Sequence, residues 1–252
     1  MFSDLYISGI KFKKEIKCED NYVANLPCLM GIEQITFNKR VTFIVGENGS
    51  GKSTLLEAIA VNMGFNAEGG SMNFKFASHE THSALYKYIT SIKGVKRPQD
   101  GFFLRAESFY NVATEIDKLD SEPSFGPPIK MAYGGVSLHQ QSHGESFMSL
   151  VLNRFRGNGL YILDEPEAAL SPTRQLSLLV KINELVKLNS QFIIATHSPI
   201  LLAFPDSEIL MLNENGIKST PYEETEHYIV TKQFLNNPEK MLDLLFSEKG
   251  EY

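Results

Sequence analysis

The chain has 252 residues, of which 42% are hydrophobic, enough for one packed α/β core. Its 24 Lys and Arg against 30 Asp and Glu leave a formal charge of −6, which argues against a dedicated sequence-independent binder of duplex DNA. Cys18 and Cys28 are too few for a disulfide framework, no run approaches the ~18 apolar residues of a membrane helix, and the opening residues lack a charged-then-apolar leader, so a reducing, cytoplasmic setting is expected.

In chain order, strands are expected near 2–12, 33–37 and 41–45. The third, Val41-Thr42-Phe43-Ile44-Val45, runs into Gly46-Glu47-Asn48-Gly49-Ser50-Gly51-Lys52-Ser53-Thr54. That segment has the form G-x-x-x-x-G-K-[ST], and the helix expected near 53–63 completes the strand-loop-helix context of a phosphate loop. Glycines let backbone N–H groups turn in on an anion, and the helix start adds its positive dipole end. Lys52 can then reach the β- and γ-phosphates of a nucleotide, and the Ser53 hydroxyl can hold Mg²⁺.

A mixed region follows at 70–100, with a helix expected around 80–92, a strand at 101–107 and a helix near 108–118. Residues 121–137, with Pro123, Pro127, Pro128, Gly134 and Gly135, form a loop. After a helix at 144–156, the apolar strand at 160–164 delivers Asp164 and Glu165 at its C-terminal end, where open α/β sheets bind ligands. A helix at 172–188, strands at 191–196 and 208–212, and short helical segments at 225–235 and 238–247 complete the order. The strand at 191–196 ends in Thr196-His197-Ser198.

Other patterns carry less. His79 and His82 are three apart, where a zinc helix of the H-E-x-x-H type needs four. Asn38-Lys39-Arg40 lacks the aspartate of a guanine-reading motif. Lys11, Lys13, Lys14 and Lys17 make a basic stretch that touches nucleic acid or simply faces solvent.

Taken together, the order of phosphate loop, Ser142-His143-Gly144-Glu145, strand-Asp164-Glu165-Pro166, Ala169-Leu170-Ser171 and Thr196-His197-Ser198 resembles the ABC-type ATPases. It is most similar to the soluble SMC/RecF-like heads and small stand-alone ATPases, over roughly residues 30–215. The resemblance implies a P-loop NTPase of α/β class, an ABC-ATPase-like head with a mixed β-sheet flanked by helices, and the length allows a single domain over 1–252. It implies that Gly46, Asn48, Gly49, Ser50, Gly51, Lys52, Ser53 and Thr54 bind ATP. Asp164 then serves Mg²⁺, Glu165 is the catalytic base and His197 contacts the γ-phosphate. Ser142, Gly144 and Glu145 form the signature that binds nucleotide held by an opposite subunit, and Ser171 lies in the loop crossing that interface. Tyr22 lies where transporter-type domains place an adenine-stacking aromatic, though packing is the alternative.

Two positions depart from the pattern. His143 replaces the first of two consecutive signature glycines. The strand expected to end in a metal-contacting glutamine offers Glu107 instead, which either contacts Mg²⁺ or caps the next helix. Arg105 beside it reads as a phosphate contact or a solvent-facing strand residue. Only 34 residues, 108 to 141, separate Glu107 from Ser142. That span is too short and proline-rich for coiled-coil arms. The reading is therefore an ATP-hydrolysing head without arms, a homodimer with ATP sandwiched at its interface, acting on a separate protein partner. Nucleic acid is a possible partner that nothing specifically indicates. The alternatives are the nucleotide-binding subunit of an ABC transporter and a non-catalytic ATP-gated module in DNA maintenance or defence.

Overall fold

The computed structural model describes residues 4–13, 32–72, 83–106, 109–121 and 128–247. Its main sheet has six strands in the order β5-β6-β7-β3-β8-β9. These are β3 (Val41–Gly46), β5 (Asp100–Arg105), β6 (Gly159–Asp164), β7 (Gln191–Ala195), β8 (Glu208–Asn213) and β9 (Gly216–Ser219). The first five in that order run parallel, and β9 returns antiparallel against β8. The expected mixed sheet flanked by helices is what the chain forms.

Parallel strands covered on both faces must be apolar on both, and the central ones are. Val41, Phe43 and Val45 of β3 join one core layer with Tyr161 and Leu163 of β6. The helices α2 (Phe109–Ser121), α3 (His143–Arg154) and α4 (Pro172–Lys187) close it through Val112, Leu150 and Leu178. On the other face Ile44, Ile162 and Ile193 pack with Leu56 and Ile59 of α1 (Lys52–Met63).

Over that second layer lies a three-stranded antiparallel sheet, β2-β1-β4, made of β2 (Gln34–Thr36), β1 (Ile7–Phe12) and β4 (Ile89–Lys93). One buried side chain ties the two sheets. The Gln191 amide of β7 accepts from the backbone N–H groups of Tyr6 and Ile7 at 2.8 and 3.1 Å and donates to the Ile7 carbonyl at 2.8 Å.

The helix expected at 80–92 is corrected. Residues 84–88 form a 3-10 turn, N-capped by Ser83, and Ile89–Lys93 is strand β4. Ile89 and Ser91 point inward and Thr90 outward, a period of two that pairing with β1 makes decisive. The expectation for residues 80–82 lies outside the described residues, as do those for Tyr22, Cys18, Cys28, Lys14, Lys17, His79 and Glu107.

The C-terminal part holds a short helix α5 (Pro199–Leu202) and two further helices, α6 (Glu226–Asn236) and α7 (Pro238–Phe246). No side chain of α6 or α7 is buried. Leu235, Leu244 and Phe246 are exposed by 71%, 62% and 77%, so these helices do not lay an apolar face on the sheet.

Candidate functional site

The ends of β3, β6 and β7 lie side by side, because Ile44 and Asp164 both pair with Ala195. Everything that follows these strands therefore converges on one sheet edge. The 46–51 loop wraps from β3 into α1. A Cβ at Gly46 would lie 2.5 Å from the Leu212 carbonyl oxygen of β8, so only glycine lets the loop leave the sheet there. Gly51 precedes α1 with φ 92° and no side-chain cap, which leaves the first amides of a 12-residue helix open to an anion.

Lys52 is buried, and its Nζ donates to the carbonyls of Gly46 and Glu47, both at 2.9 Å. Burial pulls its pKa below the ordinary lysine value, while Glu165, Asp164 and Glu167 pull it back up. A desolvated ammonium held on loop carbonyls is a cation that a phosphate would satisfy better than the carbonyls do.

The Ser53 hydroxyl donates to Asp164 Oδ1 at 3.1 Å. Hydroxyl and carboxylate oxygens from the loop and from β6 form a hard donor pair of the kind Mg²⁺ uses together with phosphate oxygens. No cluster of three or more His, Cys, Asp or Glu that could hold a metal alone occurs among the described residues. The donor set thus fits a metal that arrives with a nucleotide.

Arg105 is not a solvent-facing strand residue: its side chain is 19% exposed and its guanidinium sits between two carboxylates, at 2.7 Å from Glu57 and 3.6 Å from Asp164. Glu57, on the buried side of α1, also accepts the Ser83 N–H at 2.8 Å. Nothing in the motif pointed to Glu57.

Glu165 adopts the left-handed region at φ 50°, ψ 52°, unusual for a residue with a side chain. Its N–H donates to the Ala195 carbonyl at 3.0 Å. The strained turn leaves its carboxylate 41% exposed and 3.7 Å from His197 Nε2. Glu167, two residues on, accepts the His197 backbone N–H at 2.5 Å. Burial raises the Glu167 pKa, against the hydrogen bond from His197. Sequence reasoning passed over Glu167, because its partner lies thirty residues away on β7's exit.

A cleft of about 910 Å³ opens beside the loop, walled by Gly46–Ser50, His197, Met211–Glu214 and the α6 residues Glu226, His227 and Ile229–Thr231. Lys52, Ser53, Asp164 and Glu165 stand outside its lining. The cleft therefore flanks the loop and His197, and the carboxylate pair is not part of its wall.

The signature residues open α3. Ser142 is the N-cap, and both its N–H and its hydroxyl donate to Glu145 Oε2, at 3.1 and 2.7 Å. Those bonds hold Glu145 below the usual carboxylate range, with Arg174 adding to the effect. Arg174 reaches the other carboxylate oxygen at 3.4 Å. Ser142 and His143 are exposed. Gly144 is not, and a Cβ there would fall 2.3 Å from the Arg174 guanidinium and 2.7 Å from the Ala169 carbonyl. Of the two positions at which glycine is expected, the close approach thus belongs to Gly144, and His143 occupies open ground. Ser171 caps α4, its hydroxyl accepting from Arg174 N–H at 3.4 Å.

A phosphate loop, a serine-aspartate pair and a strand-end glutamate and histidine on a parallel sheet define a P-loop ATPase of ABC type. The chain belongs to the AAA domain family AAA_23, whose profile matches residues 25–245. It is 27% identical over 239 residues to a protein named as an ABC transporter ATP-binding protein in Caldanaerobacter subterraneus subsp. tengcongensis, covering 88% of this chain and 90% of that one. An uncharacterized ABC transporter ATP-binding protein of Haemophilus influenzae is 25% identical over 193 residues, 69% and 70% of the two chains. Among solved structures, cbiO1 of Clostridium perfringens, part of the ABC transporter complex cbiONQ, superposes with a TM-score of 0.50 at 19% identity, covering 95% of this chain and 98% of that one. That likeness is one of fold.

Proposed function

We propose that this ATPase is a nucleotide-driven dimerisation switch. Residues 1–252 act as one ATPase unit, and two copies close head-to-tail over two ATP molecules. Hydrolysis separates them, and the change passes to a separate protein partner. Lys52 and the loop amides hold the β- and γ-phosphates. Ser53 and Asp164, with Glu107 in support, would hold Mg²⁺, whose charge would offset that of the phosphates. Glu165 positions and polarises the attacking water, and His197 steadies the γ-phosphate.

The observation that carries this reading is the N-terminus of α3. Ser142 and His143 are exposed, and the chain's own Glu145 carboxylate occupies the Ser142 N–H and hydroxyl. An exposed, outward-facing start of a 12-residue helix suits a phosphate presented by another subunit, which would displace the Glu145 carboxylate from the Ser142 donors. Ser171, exposed at the start of α4, borders the same surface through Arg174.

Mixing two inactive variants tests it. Lys52→Ala removes the phosphate lysine, and Ser142→Arg blocks the signature. A mixed dimer holds one composite site free of both changes, so ATP turnover is expected to return in part. Failure of the mixture to turn over ATP, under conditions where mixed dimers form, contradicts the composite site.

The relatives' names favour a second reading, the nucleotide-binding subunit of a transporter. No helix among the described residues is long and apolar enough to cross a membrane, so that role needs a separate membrane protein. Co-purification of a membrane protein with Glu165→Gln from detergent extracts would favour it, and recovery of only water-soluble proteins would favour the first reading.

A further inference from the structure

We propose that His227, carried by α6, is a positioning residue of the ATPase site: it holds the His197 ring in the tautomer that turns an N–H toward Glu165. The proposal rests on the reading of His197 as the γ-phosphate contact, and it adds a C-terminal helix to the site.

His197 Nδ1 and His227 Nε2 lie 3.0 Å apart, with ring centroids at 5.2 Å. The pair is held on both sides. Thr225, fully buried, N-caps α6 by accepting the Tyr228 N–H and donates its hydroxyl to the Tyr222 carbonyl at 2.7 Å. The Tyr222 hydroxyl in turn donates to the Pro199 carbonyl at 2.9 Å, two residues beyond His197. On its other flank, the His197 backbone is fixed by Glu167. His227 therefore travels with the segment that carries His197, and its contact is anchored rather than incidental.

Burial pulls both histidines below the ordinary imidazole pKa, so both are neutral near pH 7. Two neutral imidazoles sharing one hydrogen bond have two arrangements. In the first, His227 Nε2–H donates to His197 Nδ1. The proton of His197 is then on Nε2, 3.7 Å from Glu165 Oε1, and His227 Nδ1 is a bare lone pair. In the second, His197 Nδ1–H donates, which sets the Nε2 lone pair of His197 against the Glu165 carboxylate. It also leaves an N–H on His227 Nδ1, a buried atom without a hydrogen-bond partner. Each arrangement leaves one buried N–H and one buried lone pair without a hydrogen-bond partner, so the Glu165 carboxylate decides: an N–H facing it at 3.7 Å is favoured over a lone pair facing it. The first arrangement wins. It gives His197 a donor at Nε2, itself buried and without a hydrogen-bond partner, ready for a phosphate oxygen.

The sequence gives no hint of this role. His227 stands thirty residues past His197, outside every motif. Its helix also walls the cleft beside the loop.

The test uses the full chain labelled with ¹⁵N-histidine, the six histidines being assigned by single substitution. His197 is expected as the Nε2–H tautomer in the nucleotide-free protein, and that state should be lost in His227→Phe. In steady state, His227→Phe is expected to lower kcat by about 10- to 100-fold with little change in KM for ATP, as loss of an orienting partner does. His227→Gln, whose amide N–H reaches a similar point, should recover most of the rate. A protonated Nδ1 in wild-type His197, or full kcat in His227→Phe while His197→Ala is inactive, overturns the proposal and leaves the γ-phosphate reading of His197 standing. Full activity of His197→Ala overturns that reading, and the proposal with it.

Discussion

Gly144 has no room for a methyl group, whereas the neighbouring His143 is exposed. Gly144→Ala is expected to destabilise the protein by about 1–3 kcal/mol, because the Arg174 guanidinium must give way and the start of α3 must also shift off the Ala169 carbonyl. His143→Gly should leave stability nearly unchanged. Urea midpoints of the two variants check this, and equal midpoints would contradict the packing described. The histidine pair makes a second prediction at this scale. Burial and the charge of Lys52 lower the His197 pKa, and Glu165 opposes them. Burial, His197 and Lys52 lower that of His227, with Glu226 and Glu167 opposing. The unfolded chain therefore binds more protons here than the folded one. The stability these groups confer is complete above about pH 6.5 and is lost as pH falls through the lowered folded values. Replacing both histidines by Gln should flatten the fall of the urea midpoint just below pH 6.5. An unchanged slope would show that other groups govern it. Residues in contiguous motifs were legible from sequence, since a phosphate loop or an Asp-Glu strand end carries its chemistry in a few adjacent letters. Glu57, Arg105, Glu167 and His227 were not, because each acquires its role from a partner brought near only by the fold.

Among the elements, β7 links the nucleotide edge to the small sheet. Gln191 satisfies two backbone N–H groups and one carbonyl of residues 6 and 7 with one amide. Gln191→Leu keeps the volume and strands those groups in the core, so a loss of about 3 kcal/mol is expected in chemical denaturation. A loss below about 1 kcal/mol would mean that β1 repairs its bonding by other means. The parallel strands were readable because burial on both faces gives unbroken apolar runs, and α3 and α4 because their apolar spacing is helical. The helix expected at 80–92 failed for a related reason. Ile89-Thr90-Ser91-Ile92 is too short to declare its period, and pairing with β1 decides it. Strand β9 was missed likewise, its four residues stabilised by pairing with β8.

For the whole molecule, −6 net charge and an exposed apolar C-terminal pair of helices argue for signalling through protein contacts more than through a phosphate backbone. Linear or supercoiled DNA at low salt should raise steady-state ATP turnover little. A large, salt-sensitive stimulation by DNA alone would place the protein among DNA-maintenance heads. The central claim, that ATP joins two copies and hydrolysis parts them, is tested most directly by the mass of Glu165→Gln measured by light scattering with and without ATP and Mg²⁺. The substitution should abolish phosphate release and keep ATP binding. The trapped protein should double from the 28.3 kDa of one chain when ATP is added and stay single without it. A Glu165→Gln protein that binds ATP and remains one chain at every concentration, or that hydrolyses ATP at the wild-type rate, would contradict it.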